Sequence, residues 1–429
     1  MRYLTIFVAY YCLFSFKTDL LPFADSSVRI DDFLLLVFAG CYLATQKKTY
    51  FPKALRTLTV FFLISILSVS INIGATGINV FQGLLFSIRH LEYAVFFFVG
   101  VLLFTYGFNW RRYLTLYLIY SLGVGLLTML EIIPNASRFH FDRISANTTG
   151  PFEYAVVMSF VFLFYFGQGQ LTRTKNLIAV VVSLLGVGLT YSRVTLVALI
   201  FSTQTSLEAG LSKGYINKLP FRLVVFSTFC AIGFISYYQD WGIVSRFTSL
   251  LDGDTIASFS ILFENYPTVE TQQEYFSLVY NDNSNTDVGL LSGDTSALIR
   301  FNKWLVLVAS TFKESLMLGL GPSFASVGVD GYFVRVFAET GLLGLIIYCK
   351  FIYDIYSFSS ATKSLLLRRY ILVLLLTGLF IDIFVSFKPM MLLWLFYGYS
   401  YASAIELYQK NKPNIGVAHL SSHVGGVAR

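Results

Sequence analysis

About a dozen times along this chain, runs of roughly 17 to 22 positions carry almost no charge, the length a helix needs to cross about 30 Å of hydrocarbon. Only helices and closed barrels satisfy their backbone polar groups inside lipid, and apolar runs of this length are helical runs. Composition agrees: 56% of the residues are apolar, 13% are charged and the mean hydropathy is +0.67, outside the range of soluble globular domains. The expected fold class is an all-α polytopic membrane protein forming one integral unit.

Crossings are expected at 3–16, 28–45, 57–73, 91–107, 113–133, 151–167, 176–192, 194–208, 222–238, 331–349, 370–387 and 390–408, about twelve in all. The first resembles the apolar part of a secretory signal, but no small-residue cleavage site follows it, so it is read as a retained helix. Cys12, Cys41, Cys230 and Cys349 fall singly in separate apolar stretches, a pattern of small buried residues without disulfide or metal spacing.

The net charge of +7 must be sorted by membrane side before it says anything about partners. With the N-terminus in the cytoplasm, every expected cytoplasmic segment is basic, from Lys47 and Lys48 through Arg111, Arg112, Lys213, Arg222, Arg368 and Arg369 to Lys410. Only Glu208, Asp354 and Glu406 oppose them. That is the positive-inside pattern, and shifting the count by one helix would reverse it; no nucleic-acid partner is implied. The opposite face holds a long acidic segment over 239–300, with nine carboxylates against Arg246 and Arg300. A loop of this length with no crossing of its own is typically functional or a small cap, and the Asn/Asp/Ser-rich stretch 281–296 reads as flexible.

The expected organisation is a membrane domain over 1–238 with nine helices, a non-cytoplasmic loop or cap over 239–330, three further helices over 331–408 and a cytoplasmic tail over 409–429. Within the cap, 301–318 has apolar residues at helical spacing around Lys303, Lys313 and Glu314, the pattern of a helix lying along the membrane surface. A second such helix is expected over 78–90, leading into the fourth crossing.

Ionisable groups at or in the apolar layer are expensive, so each is a candidate for function, to be weighed against pairing for stability. Arg193 sits at the turn between two apolar helices, where its planar guanidinium could grip a pyrophosphate in bidentate fashion, or reach the lipid headgroups. Asp330, Arg335 and Glu339 open the tenth crossing, with Arg335 spaced to meet Glu339 and, less closely, Asp330. Arg335 and Glu339 read equally as a structural salt bridge. Asp330, ahead of the helix, is better placed to act on a substrate, or is an N-cap.

Arg138, His140 and Arg143 precede the sixth crossing, Arg89, His90 and Glu92 start the fourth, and Arg300 ends the acidic segment. Together these groups could form a basic pocket; singly each reads as a loop or headgroup contact. Asp252 and Asp254 around Gly253 resemble a metal-binding aspartate pair, but the spacing is that of a turn, and no metal is assigned. His419 and His423 fall in the polar tail. There is no phosphate-binding glycine loop, Gly-x-Ser-x-Gly or His-Glu-x-x-His, which argues against nucleotide-driven chemistry.

Three stretches together carry a family likeness: Val28-Arg-Ile-Asp-Asp at the second helix, Leu189-Thr-Tyr-Ser-Arg at the eighth, and Leu318-Gly-Leu-Gly-Pro followed by Asp330-Gly-Tyr and Glu339-Thr-Gly-Leu-Leu-Gly. With these motifs and its layout, the chain resembles the O-antigen polymerase (Wzy) family within the O-antigen polymerase and ligase superfamily. The resemblance implies a GT-C-like glycosyltransferase of bacterial inner membranes, with substrates carried on undecaprenyl pyrophosphate and no cofactor. It implies membrane lipids, a chain-length regulator and a flippase as partners.

On that reading Arg193, with Arg335, Arg300, Arg143, Arg138 and Arg89, would clamp the leaving pyrophosphate, His90 and Tyr332 would line the substrate site, and Asp330 or Glu339 would accept a proton. The ligase branch carries a His-Asn pair ahead of the glutamate motif; this chain has Asp330-Gly331 there, which favours the polymerase. A ligase acting on lipid A core, or a lipid-linked oligosaccharide flippase, are the alternatives. A transporter would carry inverted repeats around a midplane site and charges deep in the later helices, where Asp382 is the one convincing case.

Overall fold

The computed structural model describes residues 1–16, 19–23, 26–46, 50–133, 143–167, 174–211, 253–264, 266–280, 295–325 and 329–410. The expected crossing 222–238, Arg138, His140, Cys230, Asp252, the stretch 281–294 and the tail with His419 and His423 lie outside them.

Among the described residues the chain is helical, with one exception. In chain order the helices are α1 (Arg2–Phe14), α2 (Ile30–Thr45), α3 (Lys53–Asn72), α4 (Val80–Thr105), α5 (Trp110–Met129), α6 (Pro151–Gly167), α7 (Thr174–Gly188), α8 (Arg193–Leu211), α9 (Gly253–Glu264), α10 (Gln272–Tyr280), α11 (Thr295–Glu314), α12 (Tyr332–Ala361), α13 (Leu365–Gly378) and α14 (Phe387–Lys410). The exception is a short antiparallel hairpin, β1 (Asp19–Phe23) against β2 (Ser26–Arg29), with Leu21 opposite Val28. The all-α class expected from the sequence holds among the described residues apart from this one short hairpin between α1 and α2. Its sequence holds Pro22 and two serines between helices, too polar and too interrupted to continue either of them.

Three of the helices, α3, α4 and α12, are long and apolar enough to cross a membrane by length and composition. The side on which α3 is apolar makes the environment plain. Val60, Leu63, Leu67 and Ile71 form an outward stripe and are about half exposed, whereas Ser65, Ser68 and Asn72 are buried on the other face. A water-soluble helix has the opposite arrangement. This is a helical membrane protein, with apolar residues facing outward and hydrogen-bonding side chains facing the bundle.

The closest helix pair is α4 with α14. A Cβ placed on Gly100 would lie 2.1 Å from the Leu395 carbonyl oxygen, and one on Gly398 would lie 2.0 Å from that of Phe97. Two glycines thus let the backbones touch, with Phe97, Tyr397 and Tyr401 filling the space beside them.

Two boundaries differ from expectation in ways that matter for the site. The surface helix expected over 78–90 and the fourth crossing are one continuous helix, α4, begun by Asn79, whose side chain accepts from the N–H groups of Phe81 and Gln82. The crossing expected over 370–387 stops at Gly378, so Asp382 lies in the connection between α13 and α14, not within a helix. The helix expected over 301–318 is present as α11, beginning earlier, at Thr295.

Candidate functional site

The site is organised around a break in α12. Gly341 has φ +66° and ψ −167°, so the helix is two pieces joined by a residue in a conformation that L side chains avoid. A break leaves carbonyls without their helical partners, which is intolerable in lipid unless protein supplies donors. Residues 316–321 supply them. The Leu320 N–H donates to the Ala338 carbonyl (2.7 Å) and the Gly321 N–H to that of Glu339 (3.1 Å), while Leu342 and Leu343 donate back to Leu316 (2.9 Å) and Met317 (3.2 Å). From α3, Asn72 Nδ2 donates to the Gly319 carbonyl (3.0 Å), and Ser68 Oγ lies 2.6 Å from the Leu318 carbonyl oxygen. Gly319 has φ +72°, and a Cβ there would lie 2.6 Å from the backbone of 339–341. The Leu318-Gly-Leu-Gly-Pro and Glu339-Thr-Gly stretches, twenty residues apart in sequence, are thus one interlocked backbone unit.

That unit aims the first two turns of α12 at a buried charged cluster. Arg335 is 3% exposed, and its Nε donates to Glu339 Oε1 (3.2 Å) while its Nη1 donates to Asp382 Oδ2 (2.9 Å). Its guanidinium lies 4.7 Å from the centre of the Phe86 ring, with Arg89 5.9 Å from the same ring. His90 Nε2 is 3.2 Å from the Tyr332 hydroxyl. Ser87, His90, Tyr332, Arg335, Glu339 and Thr340 enclose a void of about 20 Å³, room for about one water molecule.

Beside this cluster is a much larger space of about 460 Å³, bounded by α8, α9, α11 and the end of α13. Among the described residues its lining is apolar apart from Arg193 and Arg300. Arg300 Nε donates to Asp330 Oδ2 (2.9 Å), and both side chains are about a third exposed. Asp330 has φ +52°, and Trp304 Nε1 donates to the neighbouring Val329 carbonyl (3.0 Å), which ties α11 to the start of α12. Lys303, on the same helix, has its ammonium pushed below the ordinary lysine range, chiefly by burial.

A second charged cluster adjoins the first across α4. Arg29 approaches Asp31 (3.7 Å), Asp32 (3.4 Å) and Glu92 (3.9 Å), and its guanidinium lies 5.0 Å from the centre of the Phe387 ring. Lys388 Nζ donates to the carbonyls of Ser15 (2.9 Å) and Asn147 (2.6 Å), and its N–H donates to Glu153 Oε1 (3.0 Å). The other oxygen of Glu153 accepts from the N–H and hydroxyl of Thr149. Helix α4 sends His90 to one cluster and Glu92 to the other, and the stretch from Asp382 in the connection to Lys388 in the first turn of α14 does the same.

Several expectations are thereby sharpened or corrected. Arg335 meets Glu339 as expected, but its second partner is Asp382; Asp330 belongs to Arg300. Asp330 does not cap α12 either: the cap position is Gly331, and no side chain fills the role. The single basic pocket is divided: His90 and Arg89 are beside Arg335, Arg300 is with Asp330 and Arg193 lines the same cavity, while Glu92 belongs to Arg29. Arg143 is partly buried ahead of α6 and is not among the described residues lining either space.

Glu153 and Lys388 were not singled out by sequence reasoning, and Arg29, Asp31 and Asp32 stood only within a motif. The available signal was a charge beside a proline or an apolar helix start, as in Pro151-Phe-Glu153 and Lys388-Pro389. No protein-family model matches this chain, and no curated protein matches it in sequence.

Proposed function

We propose that this protein is an O-antigen polymerase of the Wzy type, a glycosyltransferase of a bacterial inner membrane with twelve crossings and both termini in the cytoplasm. It transfers a growing glycan from undecaprenyl pyrophosphate to an incoming lipid-linked repeat unit at the periplasmic face. The observation that carries the reading is that Arg193 and Arg300 line one cavity, that Arg300 is paired with Asp330 ahead of the broken α12, and that Glu339 and Asp382 are held by Arg335 at that helix. Such a reaction requires cations for a leaving pyrophosphate and a nearby acceptor for a proton.

In the reaction, a hydroxyl of the acceptor sugar attacks the anomeric carbon of the donor glycan. The bond from that carbon to the pyrophosphate oxygen breaks, its electron pair leaves on the lipid pyrophosphate, and the hydroxyl proton passes to a carboxylate. Arg193 and Arg300 take the leaving charge. Asp330 accepts the proton once the anion draws Arg300 away from it, with Glu339 held beside Arg335 as the alternative base. His90 and Tyr332 line the acceptor side, and Arg335 fixes Glu339 and Asp382.

The experiment is deletion of the gene in its native host, with the surface polysaccharide resolved on a silver-stained gel. A ladder that collapses to core plus one repeat unit supports the polymerase. Core alone with long lipid-linked glycan accumulating would instead mean a ligase, and core alone with single repeats trapped on the cytoplasmic side a flippase.

A further inference from the structure

The cluster around Arg29 carries more acid than base. Arg29, 5% exposed, faces the carboxylates of Asp31 and Asp32 on α2 and of Glu92 on α4. Lys388 on α14 is shared between Asp31 and Glu153 on α6, and Arg89, which also faces Glu92, is half-buried with its guanidinium over the Phe86 ring. Cys12 on α1 and Tyr93 on α4 face the group without adding positive charge. Two atoms show where the excess sits. Asp32 Oδ1 and Glu92 Oε1 are buried and, among the described residues, have no hydrogen-bond partner. Both lie against the same nitrogen, Arg29 Nη2, at 3.4 and 3.9 Å, beyond the usual range of an N–H···O bond. The other oxygen of Asp32 accepts from the Arg29 N–H (2.9 Å), which fixes the carboxyl group at the start of α2. The Asp32 and Glu92 carboxyl groups are themselves within hydrogen-bond reach of each other. Two ionised carboxylates in such contact repel and leave both oxygens bare, whereas one proton between them satisfies both and removes one negative charge. A metal cation would meet the Arg29 guanidinium at the same two oxygens and be repelled by it.

We infer that Asp32 and Glu92 form a proton-binding site, holding one proton in common as a carboxyl–carboxylate hydrogen bond that joins α2 to α4 beside Arg29. The proton is taken from water, and no other bond is made or broken. Such a bond is short and charge-assisted, stronger than a neutral one. Helix α4 carries His90 two residues before Glu92, so the proton fixes the same helix that serves the Arg335 cluster. The assignment is independent of the glycosyl-transfer reading, because it concerns a contact outside the cavity of Arg193 and Arg300.

The test is infrared difference spectroscopy of the full chain in nanodiscs at neutral pH, wild type minus variant, in water and in heavy water. A protonated carboxyl has a carbonyl stretch apart from those of carboxylates and amides, and the band shifts in heavy water. One such band should be lost in Asp32→Asn and equally in Glu92→Gln, because either amide supplies the hydrogen its partner needs and that partner then ionises. Asp31→Asn should keep the band. Should an amide variant fail to insert, Asp32→Ser and Glu92→Ser, which retain a hydroxyl donor, take its place with the same expectation. Loss in only one of the two positions would mean an isolated protonated acid. No loss at either would mean that both are ionised, with water or a cation between them, and loss in Asp31→Asn would put the proton on a different carboxyl. Each of these three results would overturn the shared proton.

Discussion

Arg335 and Asp382 meet at 2.9 Å across 47 residues of sequence, and this contact joins the broken helix α12 to the connection between α13 and α14. Arg335 is buried and Asp382 largely so, its side chain 15% exposed, and Glu339 is the third member of the group. Removing one partner from a buried pair leaves an uncompensated charge, at a cost of about 3 kcal/mol or more. Asp382→Ala should therefore destabilise the protein by about that amount in a thermal unfolding experiment in detergent. Asp382→Asn, which keeps a hydrogen-bond acceptor, should lose less, and an unchanged midpoint in both would remove the pair as an anchor.

Arg193→Ala and Asp330→Ala should each abolish chain extension while the protein remains inserted at normal abundance. Both groups lie in or beside an open cavity rather than the packed core, so the loss should fall on activity and not on folding. Immunoblotting of membranes beside the polysaccharide ladder makes the distinction. Retained extension in either variant removes that residue from the site.

Gly341→Ala should fail for steric reasons. The new Cβ would lie 2.3 Å from the Met317 carbonyl, at a residue with φ +66°, which alone costs about 1 kcal/mol for an L side chain. Membrane abundance should fall sharply. An equally abundant Gly341→Ala protein would show that the break in α12 is dispensable.

The pH response of the cap can be read from Glu274, exposed at the start of α10. Its carboxylate accepts from the N–H groups of Glu270 (2.9 Å) and Thr271 (3.4 Å), which lowers its pKa below the ordinary glutamate range. A lowered folded pKa contributes stability above the unfolded value near 4.3, and that stability is lost as pH falls through the folded value. Protection of the amides at 270–271 from hydrogen exchange should accordingly hold at neutral pH and decline only as pH falls below the ordinary glutamate range. Glu274→Gln should abolish the pH dependence of that protection.

The membrane class of this chain was legible because lipid imposes one rule on every crossing, and long uncharged runs obey it. The charged residues around α12 were legible for the same reason: Arg335 and Glu339 stand out where charge is costly. Their partners were not. Asp382 meets Arg335 only because α13 stops at Gly378, and an apolar run such as Leu379-Phe-Ile does not announce that stop. The Lys388–Glu153 contact links residues 235 apart, and no local pattern encodes a tertiary pairing of that kind. Gly319 and Gly341 were visible as motif glycines, but their interlock depends on backbone hydrogen bonds between segments twenty residues apart. The hairpin before α2 was hidden because two short strands carry too little alternation to stand out beside helices.

The central claim is tested most directly by reconstitution. Purified protein in liposomes is given lipid-linked single repeat units of the native polysaccharide, and the products are separated by length. The account predicts lipid-linked chains of two, three and more repeats, absent with Arg193→Ala and Asp330→Ala. Single units remaining unchanged with the wild-type protein, while the same units are moved between leaflets or passed to lipid A core, would contradict it.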